Sequence, residues 1–585
     1  MYLKKQYIKK TGRTYLSMAY SFRDKEKGQS RTKIVESFGY VDELQKIFDD
    51  PIVHFEKVVA AHNKSAEEEA TRFIISAIKD ELIPEDTMNR KNFGYIAILK
   101  IFSELGLDRF LINRKRGTKI EYDTSAVMKL LVISRILSPG SKQKAFIERK
   151  KYFEFDKKED RFSLMDIYRC LPHFTNLAHD IQKLIHERIT SKYGRKTDLI
   201  YYDVTNYYFE IDKEAGLKAK GVSKEHRPDP IVQMGLAADE EGIPIYYEVF
   251  PGNESEKLHL RPAIFELHKN YSAGRVIAVA DAAQNTGNNI YYLDQGKQGY
   301  VFSQSIRGGS ESFKDYVVDE TGYKWYKKEY KRKSRVTPRE IFVDFKRGNK
   351  TVKKKVLVDQ RQIVFYSEKY AVRSKAKRSA AIKKAYAIIN NPSEFTRATS
   401  YGALKYVKNV EIDKKTGEIK KSKAKPCFDM DKLIEEEKYD GYYAIVTNVF
   451  DEGKNKGKFS DDKIIDIYRG LWRLEDAFRI TKHDFETRPI YLSRDDRIRG
   501  HFLTCYIALV IMRLLQKSVG FRHSPSKLIE AMNNISCVNE CENMYLFDYR
   551  SSVSDDLGQS LGIDFKRKRL TLGDIKKYLG DAKKD

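Results

Sequence analysis

The stretch DLIYYDVT, residues 198–205, sets Asp203 inside a run of Leu, Ile, Tyr and Val that favours a β-strand. IVQMGLAAD (231–239) and IPIYYEVF (243–250) are two more strand-like runs, joined through the polar Glu240, Glu241 and Gly242. So short a link is of hairpin type. A helical stretch from about 257 to 271 then leads to RVIAVAD (275–281), and a second helical stretch leads to YVFSQS (300–305). The segment predicts an antiparallel meander of three strands, with the fourth returning beside the first.

That order is the order of a ribonuclease-H-like core, and the expected fold class is an α/β multidomain chain built around one. Residues 1–50 read as β-hairpins, as in RTYLSMAYSF, and 51–195 as a helical domain, as in TSAVMKLLVISRIL. The first part of the core occupies 196–305, and a basic β-rich insertion occupies 306–439. The core resumes over 440–518, beginning with DGYYAIVTN (440–448), and 519–585 reads as a basic helical tail.

The 585 residues carry a formal net charge of +26 together with 38 Tyr and 31 Phe, so the chain is basic and aromatic rather than basic and disordered. Such a balance favours nucleic acid as the partner. Between 306 and 440, 35 Lys and Arg face 19 Asp and Glu, so most of the surplus lies in the insertion. Its cluster KKEYKRKSR (327–335) is expected to track phosphates.

FLTCYIALVIM (502–512) stops at Arg513, about half a bilayer span, and reads as a buried core helix; no membrane is expected. MYLKKQYIKK has no signal-like apolar stretch, which points to a bacterial cytoplasmic, nucleoid-associated location. The cysteines at 170, 427, 505, 537 and 541 do not form two pairs at zinc-finger spacing. GVSKEHRPDP (221–230) lacks the glycines and the Lys-Ser/Thr pair of a P-loop, so no nucleotide cofactor is expected. His226, His259, His483 and His501 form no spaced ligand pair and read as surface or core hydrogen-bonding groups.

Asp203 and Asp281 fall near strand ends that the topology makes neighbours. Carboxylates side by side raise each other's pKa unless a cation sits between them. Mg²⁺ takes oxygen ligands, typically one or two carboxylates, and is the natural occupant, with Mn²⁺ as a substitute. A third acid comes from the helix of about 460–482, DKIIDIYRGLWRLEDAFRITK, where Tyr468, Glu475 and Lys482 recur every seven residues. Seven steps of about 100° drift only about 20°, so these three form one stripe. Ile467, Leu471, Leu474 and Phe478 form the core-facing stripe about 60° to 120° away.

YYDVT around Asp203, GVSKEHRPDPIVQMGLAADEEGIPIYYEVFPGNES (221–255), AVADAAQN around Asp281, DGYYAIVTN and the Tyr468, Glu475, Lys482 helix occur in this order. Together they resemble the DDE transposases of bacterial insertion sequences, in the insertion-sequence-four-type branch with a β-rich insertion before the final Glu. The resemblance spans nearly the whole chain. It implies that Asp203, Asp281 and Glu475 are the catalytic, metal-binding triad, and that Tyr468 and Lys482 belong to a DNA-contacting signature of Tyr, Arg, Glu and Lys. It also implies that the helical and N-terminal regions bind terminal inverted repeats. A dimer or higher oligomer on DNA would cleave and then join 3′-hydroxyl ends to target DNA.

The signature Arg, three residues after Tyr, is Leu471 here. Arg479 lies eleven residues after Tyr468 and about 20° from it, whereas Arg469 and Arg473 point about 100° and 140° away. Arg479 is therefore expected to supply the missing phosphate contact. The alternative is an exposed arginine paired along the helix with Glu475 or Asp476. Two other function classes are weighed: a structure-specific metal-dependent nuclease that cuts without joining, and a non-catalytic DNA-binding derivative, which would need a lost acid.

Overall fold

The structure is a computed structural model describing residues 1–585 apart from 24–29, 72–81, 83–84, 86–87, 156–161, 226, 272–273, 349, 396–399, 401, 413–418, 422–424, 451–456, 542 and 585. His226 thus lies outside the described residues. The chain forms two compact units, Met1–Thr87 and Met88–Asp585.

In the first unit, β1 (Tyr2–Ile8), β2 (Arg13–Arg23) and β3 (Ser30–Tyr40) form an antiparallel sheet in that order. Helix α1 (Pro51–Thr71) begins on a proline, whose missing N–H is one of the donors a first turn leaves unpaired. The Asp50 carboxylate accepts from the N–H groups of Ile52 and Val53 at 3.0 and 3.1 Å. A Lys5–Glu56 ion pair of 2.9 Å and stacking of Phe38 on Phe55 at 4.2 Å hold the helix to the sheet.

In the second unit, α2 (Ile96–Glu104), α3 (Thr124–Leu137) and α4 (Leu164–Tyr193) precede the main sheet. Ser163 and Asp166 close a reciprocal cap at the start of α4, and Gly194, at φ 66°, ends it. The sheet is then built from β4 (Leu199–Tyr208), β5 (Ile231–Ala238) and β6 (Pro244–Pro251), followed by α5 (Leu260–Asn270), β7 (Ile277–Ala280), α6 (Gly287–Gln295) and β8 (Gly299–Ser303). Strands β9 (Lys324–Tyr326), β10 (Tyr330–Arg347) and β11 (Lys350–Tyr366), helix α7 (Glu368–Asn390) and β12 (Tyr442–Thr447) complete it. Nine strands run in the order β9-β10-β11-β12-β8-β7-β4-β5-β6.

β4, β5 and β6 pair antiparallel, and β7 returns parallel to β4. Because β12 pairs with β8 on one side and β11 on the other, the basic hairpin β10–β11 extends this same sheet. Side chains alternate across β4: Ile200, Tyr202 and Val204 pack with Leu260 and Ile264 of α5 and Ile290 of α6, while Tyr201 and Tyr207 face the opposite way. On that opposite face lie α8 (Asp461–Arg469), α9 (Trp472–Arg479) and α10 (Asp495–Ser518).

Every residue of α10 from Gly500 to Gln516 is buried, as expected for 502–512. It is the only helix among the described residues long and apolar enough to cross a membrane, and α2, α3 and α4 pack around it. A Cβ on Gly500 would stand 2.2 Å from the Leu171 carbonyl oxygen, so only glycine permits this approach of α10 to α4.

The tail, expected as helical, holds the helices Pro525–Asn534, Ser552–Leu561 and Leu572–Ala582 but also strands. Ser536–Cys541, Met544–Phe547 and Arg569–Thr571 join Arg90–Asn92 in a four-stranded sheet. These strands are short, and the pairing Ser536↔Asn92 links distant parts of the chain, so periodicity within a window carries no trace of it.

Candidate active site

The parallel register Leu199↔Ile277, Ile200↔Ala278, Tyr201↔Val279, continued by two residues, sets Asp203 beside Asp281. Asp203 shares with Tyr201 the face covered by α8 and α9. Asp281 follows β7 and caps a short turn, its carboxylate accepting from the Ala283 N–H at 2.9 Å. The Asp203 carboxylate accepts from the Val204 N–H at 2.7 Å, and Lys224 Nζ lies 3.8 Å away.

Burial pushes the Asp203 carboxyl up to about 7; Lys224 opposes the shift, and Asp281 and Glu256 add to it. Glu256, in the turn after β6, is itself raised, by burial first and by Asp281, against the pull of Lys224. Three carboxylates therefore share one electrostatic environment. Sequence reasoning misses Glu256, although it directly follows the PGNES that closes the 221–255 motif.

Among the described residues no group of three or more His, Cys, Asp or Glu side chains is arranged to hold a metal ion. The donor set nonetheless fits Mg²⁺: two half-buried hard-oxygen carboxylates in register, repelling each other, are what that ion typically takes from a protein.

The segment 461–484 departs from one regular helix at two points. Leu471 N–H bonds back to Tyr468 O and Leu474 N–H to Leu471 O, three-residue steps that tighten the turn between α8 and α9. Gly470 sits there because a Cβ would stand 1.9 Å from the Tyr201 hydroxyl, which donates to Ile467 O at 3.1 Å. Ile480–Asp484 then widens into a π turn. The uniform 100° step therefore fails on both sides of Glu475, and the expected single stripe divides.

Tyr468 lies in electrostatic reach of Asp281. Its hydroxyl lies 3.0 Å from that of Tyr443, and burial first, then Tyr443, drives its phenol far upward, with Asp281 contributing. Glu475 is exposed on α9 and makes no hydrogen bond or ion pair among the described residues. The structure sets Asp203 beside Asp281 with Tyr468 in electrostatic reach of Asp281, and among the described residues no contact joins Glu475 to them. Leu471 is buried, as its place on the core stripe predicts.

Lys482 pairs with Glu225 at 2.9 Å and lies 5.6 Å from the centre of the Tyr207 ring. Its pKa is lowered by burial, with Glu225 opposing. Arg488 pairs with the same Glu225. GVSKEHRPDP therefore links the acid pair to a basic pair, through Lys224 on Asp203 and Glu225 on Lys482 and Arg488.

Arg479 is engaged elsewhere: it pairs with Asp476 at 2.9 Å and Asp484 at 3.1 Å. This is the along-the-helix pairing weighed as its alternative, with Asp476 as the partner. The arginine beside Lys482 is Arg488, which sequence periodicity could not reach because it follows the π turn.

His259 stacks on Phe250 at 3.4 Å, and His483 is exposed. Much of the 327–335 cluster is neutralised within the fold. Lys331 pairs with Glu320, Arg332 with Asp462, and the buried Lys333 donates to Asp319 O. Lys327 and Lys328 of the cluster stay exposed, and further exposed basic side chains gather at the hairpin tip, Lys346, Arg347, Lys350, Lys353 and Lys354. Truncating the tip lysines to Ala is expected to lower the salt slope of DNA binding by close to one unit for each phosphate no longer neutralised, while Lys331→Ala leaves it unchanged; filter binding from low to high salt reads both.

Residues 3–72 match the family model of the IS1634 family transposase N-terminal domain. That match supports a transposase. It falls within the first compact unit, over the β1–β3 sheet and α1. No curated protein matches the chain. A piggyBac transposase synaptic complex with hairpin DNA aligns over 84% of this chain and 86% of its own, at 8% identity and a TM-score of 0.35. A Mos1 transposase paired-end complex with the left transposon end aligns over 41% of this chain and 66% of its own, at 14% identity and a TM-score of 0.14. TM-scores this low establish no shared fold.

Proposed function

We propose that the chain is a DDE transposase with a ribonuclease-H-like catalytic core, acting as a dimer or higher oligomer on the inverted repeats of its element. The observation that carries this reading is the acid pair Asp203 and Asp281, adjacent across parallel strands and facing the helices that bear Tyr468 and Glu475. The N-terminal match supports the transposase part of this reading independently.

Asp203 and Asp281 would hold Mg²⁺, with Glu475 as the third ligand. Bound there, the ion supplies charge neutralisation at the scissile phosphate and activation of water or a 3′-hydroxyl. Lys482 and Arg488 bind phosphate oxygens once Glu225 yields them, the guanidinium being suited to two parallel hydrogen bonds. Tyr468, its hydroxyl beside that of Tyr443, would contact DNA as the signature implies.

Supplied with pre-cut ends carrying a 3′-hydroxyl, Mg²⁺ and plasmid, the protein is expected to give joined product, and none in excess chelator. Cutting without joining would favour the nuclease instead. Glu475→Gln is expected to lower cleavage by about a thousandfold or more, the several kcal/mol a metal ligand supports, whereas Glu256→Gln retains activity. The reverse result would move the third ligand to Glu256.

Arg488→Ala should slow strand cleavage by about ten- to a hundredfold at matched DNA occupancy, the value of about 1.5–3 kcal/mol for a charged hydrogen bond. Arg479→Ala, by contrast, should cut at close to the wild-type rate. Equal rates for Arg488→Ala and wild type would remove Arg488 from the site.

A further inference from the structure

The second unit contains a cavity of about 170 Å³ whose wall includes Arg135, Ser141, Lys142, Tyr168, Arg488 and His501. Arg135, Lys142 and His501 are only 6%, 7% and 4% exposed. Lys142 Nζ lies 2.9 Å from His501 Nδ1, two groups that cannot both be charged at that distance without cost. Arg135 donates to the carbonyls of Phe485 at 2.9 Å and Gly140 at 3.2 Å, and its Nε has no hydrogen-bond partner.

Among the described residues neither cation has a carboxylate partner. Glu486, also on the wall, is exposed and forms no ion pair, and Cys505 Sγ lies 3.8 Å from His501 Nε2. Burial, with Arg135 adding repulsion, pushes Lys142 down to about 7. Buried charges are ordinarily paired, so two such cations facing one cavity are a charge arrangement lacking its anion.

Size narrows the anion. Pockets for whole small molecules run from about 300 Å³ upward, so this cavity suits a phosphate group rather than a nucleoside. Position narrows it further, because Arg488 lines the cavity and also shares Glu225 with Lys482 beside the acid pair. We propose that the cavity seats one phosphate of a bound DNA strand, distinct from the phosphate being cut, held by Arg135, Lys142 and His501. The DNA assignment rests on the transposase reading; the phosphate site does not.

The test uses the full chain and inorganic phosphate, followed by calorimetry, with Lys142→Met and Lys142→Arg. Methionine fills a similar volume and removes a buried charge, so the variant should fold, and its melting curve checks that. Phosphate is expected to bind wild type and Lys142→Arg, and to bind Lys142→Met at least tenfold more weakly. Absence of binding to wild type at millimolar phosphate, or equal affinity for Lys142→Met, overturns the site. In a second arm, the salt dependence of binding to a short DNA duplex should lose about one unit of slope in Lys142→Met. An unchanged slope, with phosphate binding lost, overturns the DNA assignment and leaves a free-anion site. If wild type binds phosphate but no DNA, the transposase reading fails while the anion site stands.

Discussion

Purified Asp203→Asn protein is expected to bind its DNA ends within about threefold of wild type and to cut them at least about a thousandfold more slowly. Asp281→Asn should do the same. Each substitution removes one of two carboxylates set in register across β4 and β7, and neither removes a cation that faces phosphate. The loss should not come from unfolding. Wild type holds half-buried Asp203 beside Asp281, in the field of Glu256 and with Lys224 as the opposing charge, so an amide there relieves repulsion. The melting temperature of Asp203→Asn in metal-free buffer should therefore match or exceed that of wild type. Cleavage at the wild-type rate by either variant would end the proposed mechanism, and a collapse of the melting temperature would turn the acid pair into a structural feature.

The second large effect is on stability. Arg195 and Asp239 form an ion pair of 2.9 Å with side chains 0% and 3% exposed. Arg195 also donates to Pro244 O at 2.8 Å, and Asp239 accepts from the Glu241 and Ile243 N–H groups at 3.1 and 3.0 Å. The pair thus fastens the β5–β6 turn to the chain leaving α4. Arg195→Leu leaves a buried carboxylate without its partner, a loss of about 3–5 kcal/mol. Urea unfolding should show it as a lower midpoint, and Arg195→Leu combined with Asp239→Asn should recover part of it. A change under about 1 kcal/mol, the range of an exposed pair, would mean that the buried pair contributes little.

The sequence by itself determined the elements whose side chains repeat at short intervals. Alternation and the short Glu240 to Gly242 link specify the meander, and the uncharged run in 502–512 specifies a buried helix. It also determined that Asp203 and Asp281 stand together, because a strand returning parallel beside the first sets their register. Tertiary structure alone decided the rest. Which basic side chains remain available to DNA depends on the acids that fold back upon them, as Asp462 does on Arg332 and Glu320 on Lys331. Arg488 meets Lys482 through Glu225, a residue more than two hundred positions away. The stripe through Glu475 depends on a tight turn at Gly470, imposed by the Tyr201 hydroxyl, and on a π turn at Ile480–Asp484. Periodicity assumes one angular step per residue and sees only neighbours along the chain. Contacts from distant segments both change that step and choose each charge's partner, so the helix phase and the ion pairs were fixed by packing.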